Sequence, residues 1–261
     1  MTEMTALDHA HAAMEGAPGD DAARLRFFER VADSEFFILL EAEAAENQVQ
    51  PQVYDVEGGK VVLLFDREER LADFVGQTAP YAALSGRALV RILAGQGTGL
   101  GLNLGVAPSS ILIPASAVDW LAQTLAAAPV AQNARPEEVL PPGDLTETLA
   151  VALDAKLALA AGLAQCAYLV GVIYDGGRRG HMLGVVDALP GSEDALAQAI
   201  SETLTFSAIE DGALDVAFFR ASDPICARLA RVGLRFDLPE PSMPEGPSAP
   251  GTDPENPPIL R

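Results

Sequence analysis

Apolar and polar positions recur with two different periods along this chain, and the changes of period mark its elements. In DAARLRFFERVADSE, residues 21–35, Leu25, Phe28 and Val31 recur at helical spacing among charges, which predicts a helix. FFILLEAEA predicts a strand, and ENQVQPQ a loop. QVYDVEGGKVVLLFD predicts a hairpin, with Gly58-Gly59 supplying the positive φ of a tight turn. REERLADFV and AALSGRALVRILA read as two helices, the second with Leu84, Ala88 and Ile92 at i, i+4 spacing. GLGLNLG and SILIP read as strands. ASAVDWLAQTLAA reads as a helix in which Ser116 and Asp119 have N-cap and N3 spacing.

A proline-rich stretch, APVAQNARPEEVLPPGD, then marks a boundary. Beyond it Asp144 caps a helix whose Leu145, Leu149, Leu153 and Leu157 line one face. QCAYLVGVIYDGGRRGHMLGVVDAL predicts a second hairpin, turning at Gly176-Gly177. Ser192 caps SEDALAQAISETL, where Glu193 and Asp194 complement the helix dipole. ALDVAFFR is a strand, Pro224 suits the first turn of a helix, and LRFDL reads as a last edge strand. The order predicts an α+β protein with two small mixed α/β-layer domains. Each has a sheet containing a Gly-Gly hairpin and covered by helices. The expected boundaries are a flexible N-terminus at 1–20, a first domain at 21–128, a linker at 129–143, a second domain at 144–238 and a disordered tail at 239–261. That tail holds eight of the 19 prolines, a composition that builds neither a core nor a helix. Its PxxP spacing (Pro241 to Pro244) is expected of any segment so rich in proline. YDVEGGK and YDGGRRG look alike, and hairpin chemistry alone accounts for the likeness.

Charge narrows the partners. The formal net charge is −20, spread along the chain, and Lys60 and Lys156 are the only lysines among 17 basic residues. Such a field repels phosphate backbones, so nucleic acid is not an expected partner. The N-terminus lacks the basic start and apolar core of a signal peptide, and the expected location is cytoplasmic. The uncharged windows 92–118 and 157–174 are broken by Asn103, Pro108, Gly162 and Gln165, so no membrane segment is expected. Two cysteines, Cys166 and Cys226, are too few for a disulfide framework, and neither has metal-ligand spacing.

GQGTGLGLNLG carries five glycines, at 95, 97, 99, 101 and 105. No triplet has dinucleotide-fingerprint spacing, and a helix precedes the stretch where a strand is required. No Walker loop occurs in the chain. Leu100, Leu102 and Leu104 instead alternate with Gly101 and Asn103, which predicts a half-buried strand with one thin face open to another backbone or a ligand.

Signatures of hydrolases, zinc proteases and kinases are missing. Of three histidines, His9 and His11 stand with Asp8 in the segment expected to be flexible, and His181 starts a strand. A nucleophile with its base would need Cys166 or Cys226 to meet His181. Arg178 and Arg179 follow the second Gly-Gly turn and suit a carboxylate or phosphate. Arg87 and Arg91 lie four apart on one helix and suit nearby acids. Asp66, Glu68 and Glu69 read as an acidic helix start, and Trp120 as a core residue.

The run from Lys60 to Ala122 resembles the N-terminal domain of the SseB family (enhanced serine sensitivity). Tyr81, Leu84, Gly86, Gly101, Asn103, Gly105, Pro114 and Trp120 carry the resemblance. It departs from the family at Leu104, where Asn-Pro is common. AYLVGVIYDGGRRGHMLGVVDA through DVAFFR is similar to the family's C-terminal domain. The resemblance implies a link to serine tolerance and supplies no catalytic residues. The expectation is a non-catalytic interaction or regulatory protein with a protein partner, no cofactor and no metal. Homo-oligomerisation is left open. A small-metabolite sensor and an enzyme with an unrecognised site are the alternatives. Contact residues are expected at Tyr81, Gly101, Asn103, Gly105, Arg178 and Arg179.

Overall fold

The computed structural model describes residues 4–42, 50–127, 136–143, 147–175, 177–207 and 214–240. Within them lie eight helices and two separate sheets, a mixed α/β architecture.

The chain opens with α1 (Ala6–Gly16) and α2 (Asp21–Asp33), followed by β1 (Glu35–Leu39), β2 (Val53–Val56) and β3 (Gly59–Phe65). Next come α3 (Glu68–Val75), β4 (Tyr81–Ser85), α4 (Gly86–Leu93), β5 (Thr98–Leu102), β6 (Ile111–Ile113) and α5 (Ala115–Ala126). The first sheet runs β4-β1-β3-β5-β6, with β2 sharing an edge of β3 with β1. Only β3 and β5 pair in parallel. One face packs on α1, α2, α4 and α5 through Phe27, Val31, Phe36, Ile38, Leu64 and Leu102. The other face carries Leu39, Leu63 and Phe65 under α3.

The second sheet uses β7 (Pro136–Leu140), β8 (Cys166–Tyr174), β9 (Arg179–Val186), β10 (Leu214–Phe219) and β11 (Leu234–Asp237). It runs β10-β9-β8-β11, with β7 on the other half of β8's edge. Helices α6 (Glu147–Ala158) and α7 (Glu193–Phe206) cover one face, and α8 (Pro224–Val232) covers the other. The helix layers of the two sheets meet. Phe206 of α7 is fully buried within the first sheet's core, and Trp120 stands edge-on to it and to Phe28, with ring centroids 6.3 and 5.3 Å away.

Several expectations are corrected. Residues 1–20 were expected to be flexible, yet 6–16 form α1. Its N-terminus is closed by a capping box between Thr5 and Asp8, and Leu7, Asp8 and His11 are buried. The expected linker 129–143 contributes β7, which adds to β8, and residues 128–135 lie outside the described set. The helix expected through Leu84, Ala88 and Ile92 is a strand and then a helix. Leu84 lies in β4, Ile92 is exposed, and α4 buries Leu89, Val90 and Leu93. The break falls at Gly86, where a Cβ would stand 1.9 Å from the Val31 carbonyl oxygen, so α4 starts in contact with α2's backbone. Ser116 is no cap, because Pro114 holds that position and Asp119 instead accepts from the Gly95 N–H. Ser192 donates to the Leu163 and Leu189 carbonyls without capping α7 through its side chain. In the first hairpin Gly58 and Gly59 do take positive φ, 107° and 139°, as expected, with the turn at Glu57-Gly58 and Gly59 opening β3. Gly176 of the second Gly-Gly pair, the Asp144 cap, Leu145 and the segment 241–261 lie outside the described residues.

Candidate functional site

Two successive phenylalanines in β1 point to opposite sides of the sheet, as the strand period requires. Phe36 enters the helix-covered core, and Phe37 lies on the other face. Register places Phe37 opposite Phe65 of β3 and Ala83 of β4, with Leu39 opposite Tyr81. Phe65 packs on Phe74 of α3 at 5.2 Å between ring centroids, and Phe37 meets Tyr81 edge-on at 5.9 Å. The result is an aromatic row, Phe74–Phe65–Phe37–Tyr81, that becomes exposed at both ends. Phe74 is 40% and Tyr81 41% exposed. The Tyr81 hydroxyl donates to Glu68 Oε1 at 2.7 Å, and this bond raises the phenol above its ordinary pKa.

Among the described residues the row ends at an open sheet edge. Leu40 N–H donates to the Pro80 carbonyl and Gly86 N–H to that of Ser34, so even-numbered residues of β4 face β1. The backbone groups of Tyr81 and Ala83 therefore point outward from the sheet.

Helix α3, which carries Phe74 and Glu68, is held by a buried network. Arg70 Nη1 donates to Asp66 Oδ1 at 2.7 Å and to Asp8 Oδ1 at 3.1 Å, and its Nη2 donates to Asp8 Oδ2 at 2.5 Å. Ser109 donates its hydroxyl to Asp8 and accepts from Asn103 Nδ2, while Asn103 Oδ1 accepts from the Asp66 N–H. Burial opposes the charge on Asp8. Hydrogen bonds from Arg70, Ser109 and Thr5 outweigh it and hold the carboxyl well below the usual range.

This network fixes one of the expected contact residues, and apolar side chains cover another. Asn103, with φ 46°, is fully buried and bonded at both ends of its amide. Gly101 is covered by side chains of its own chain. A Cβ there would meet Leu63 Cδ2 at 2.7 Å and Leu104 Cδ1 at 2.9 Å. Leu104 thus turns across the thin face of β5, which is buried along its whole length. The expectation of a half-buried strand with an open face is corrected, because the protein itself fills that face. Gly105 is exposed at φ 73°, and its N–H donates to Ser110 Oγ. Tyr81 alone of the expected contacts lies on the aromatic row. Phe37, Phe74 and Arg70 were missed, although the FF pair and the Asp66–Arg70 spacing signal them.

Arg178 and Arg179 belong to the second sheet. Arg178 lies 4.2 Å over the Tyr174 ring and pairs with Asp215 at 3.1 Å, while Arg179 is exposed. His181 Nε2 is 2.8 Å from the Pro142 carbonyl oxygen, and Cys226 donates to the Arg220 carbonyl at 3.1 Å. Burial, with Asp223 nearby, pushes the Cys226 thiol up. Cys166 is buried in β8, and His11 packs edge-on against Phe27.

A second charged cluster joins the halves. Arg87 bonds Asp33 at 2.7 Å and Glu202 at 2.6 Å, and Lys156 bonds Asp33 at 2.7 Å and Glu29 at 3.1 Å. Next to it a cleft of about 880 Å³ opens between α4 and α5, lined by Arg87, Arg91 and Asp119 over an alanine-rich floor. Among the described residues no group of three or more His, Cys, Asp or Glu side chains is arranged to hold a metal ion, and no helix is long and apolar enough to cross a membrane.

Residues 7–120 match the family model of the SseB protein N-terminal domain. No curated protein and no solved structure matches the chain.

Proposed function

Starting from residues 7–120 as an SseB N-terminal domain, we propose that this protein is a non-catalytic interaction or regulatory module with a protein partner, acting in the cytoplasm. The region 144–238 serves as the C-terminal domain of the same family, and the family's tie to serine tolerance runs through that partner. One observation carries the reading: the aromatic row of the first domain comes to the surface at its two ends, Phe74 of α3 and Tyr81 of β4. Exposed aromatics on packed elements supply contact area at little entropic cost. The test is native mass spectrometry of the gently purified protein, wild type against Phe74→Ser. A stoichiometric protein adduct is expected with the wild type and should be lost in the variant. A bare chain in both would sink the reading.

A second reading, a sensor for a small amino-acid-like metabolite, is favoured by the cleft between α4 and α5. Arg91 suits a carboxylate there and Asp119 an ammonium group. Thermal shift against amino acids checks it, because a ligand of the folded state raises the midpoint. No shift with any of them would remove this reading.

A further inference from the structure

Resting on the interaction reading, we propose that the outer edge of β4, unpaired among the described residues, takes an extended, basic segment of a partner protein as an added strand. Three observations meet at this edge. The first is the alternation of β4 hydrogen bonds, which leaves the N–H and C=O groups of Tyr81 and Ala83 directed away from β1. An unpaired edge of this kind is a template for another strand, and main-chain bonds supply the affinity. The second is the face beside it. Residues opposite Tyr81, Ala83 and Ser85 on an added strand would project onto the aromatic side of the sheet, next to Tyr81 and Phe37.

The third is charge, and it selects the occupant. Glu35 precedes Phe37 by two residues and so shares its face, opposite Ser85 at the edge. Glu68 is tied to Tyr81, and Glu69 and Asp73 are exposed on α3. Arg70, the cation within α3, is buried and consumed by Asp8 and Asp66. An incoming Lys or Arg opposite Tyr81 or Ser85 reaches Glu68 or Glu35, and the Tyr81 ring offers it a cation–π contact. On the opposite face Ala82 and Leu84 are half-buried against the core, so the alternate residues of the segment are apolar. A second copy of this chain fits poorly, because it would bring two such acidic edges together in a protein of net charge −20.

The experiment uses the full chain and short synthetic peptides in which Val or Ile alternates with Lys, alongside counterparts carrying Glu in place of Lys. Binding is read by fluorescence polarisation and by amide hydrogen exchange. The Lys peptides should bind, protect the Tyr81 and Ala83 amides and weaken with added salt, while the Glu peptides should not bind. Ala83→Pro removes an edge donor that β1 does not use, so the fold should persist while affinity drops about tenfold or more. Glu35→Lys should weaken the Lys peptides and favour the Glu peptides without relying on that proline.

If Ala83→Pro binds as well as wild type while Phe74→Ser loses its partner, strand addition is wrong and the interaction reading survives. Equal binding of Lys and Glu peptides overturns the basic partner. No peptide binding, in a protein that still carries its stoichiometric adduct, overturns this proposal alone. A homodimer that Ala83→Pro dissociates assigns the edge to a second copy instead.

Discussion

Two clusters of buried charge can be set side by side in this molecule, one inside the first domain and one at the junction between the halves. In the first, a single cation, Arg70, meets two carboxylates, Asp8 and Asp66, and all three side chains are 4% exposed or less. The excess negative charge is met by neutral donors, the hydroxyls and the backbone N–H groups of Thr5 and Ser109. At the junction two cations, Arg87 and Lys156, meet three carboxylates, Glu29, Asp33 and Glu202. Arg87 is 38% exposed there, so water screens part of the cluster. The difference teaches that charge balance alone does not make a cluster rigid. The inner one is completed by hydrogen bonds that tie α1, α3 and the β5–β6 loop to one another. The outer one, with the same excess of one carboxylate, is partly wet at Arg87.

The widest expected separation comes from Arg70→Met. It leaves Asp8 and Asp66 buried without a cation, and a loss of about 3–5 kcal/mol is expected in chemical denaturation. A loss under about 1 kcal/mol would put the two clusters on the same footing. Lys156→Met should come next, near the lower end of that range at about 3 kcal/mol, because Arg87 still pairs with Asp33 and Glu202. It should also split unfolding into two transitions, seen by comparing Trp120 fluorescence with circular dichroism. A single transition with coincident probes would mean that Phe206 and Trp120 hold the junction without the ions.

Acidification gives a graded comparison. Asp8 is depressed in the folded state, and so is Asp33, where Lys156 and Arg87 outweigh burial. Each contributes stability above the ordinary carboxylate range, and loses it as pH falls through its lowered folded value. Glu29 has the opposite sign. Burial raises it beyond what Lys156 offsets, so its contribution is present at low pH and is lost as pH rises through the raised value. The junction therefore compensates in part, and α1 should open to amide exchange before α6 does as pH is lowered. Simultaneous opening would remove the distinction. Arg178→Ala offers the baseline. Its pair with Asp215 is 47% and 30% exposed, and a change below about 1 kcal/mol is expected in the same denaturation series.

Legibility followed the range of the interaction. Leu149, Leu153 and Leu157 face the core of α6 as their spacing predicts, and Pro224 opens α8. On α2, Val31 is buried as expected, but Phe27 leads the core face while Leu25 and Phe28 are half-buried. The strand–helix break at Ser85-Gly86 was not legible, because an alanine- and leucine-rich run suits a helix by itself. The sheet edge at β1 and the Val31 carbonyl decide otherwise. At the candidate site, Tyr81 was legible through family resemblance. Its partners Phe37 and Phe74 needed the register of β1, β3 and β4.

The sequence alone determined the α+β class, the two hairpins' strands and the N-terminal SseB resemblance, because period, turn residues and motifs act over a few neighbours. Only the tertiary structure decided that residues 6–16 form a docked helix, that Leu104 closes the face of Gly101 and that the charges divide into two clusters. Arg70 finds Asp8 at a separation of 62 residues and Arg87 finds Glu202 at 115. No local pattern encodes such pairs. They form because the packed helices and sheets bring distant charges together and take most of them out of water, where a buried charge must meet a partner.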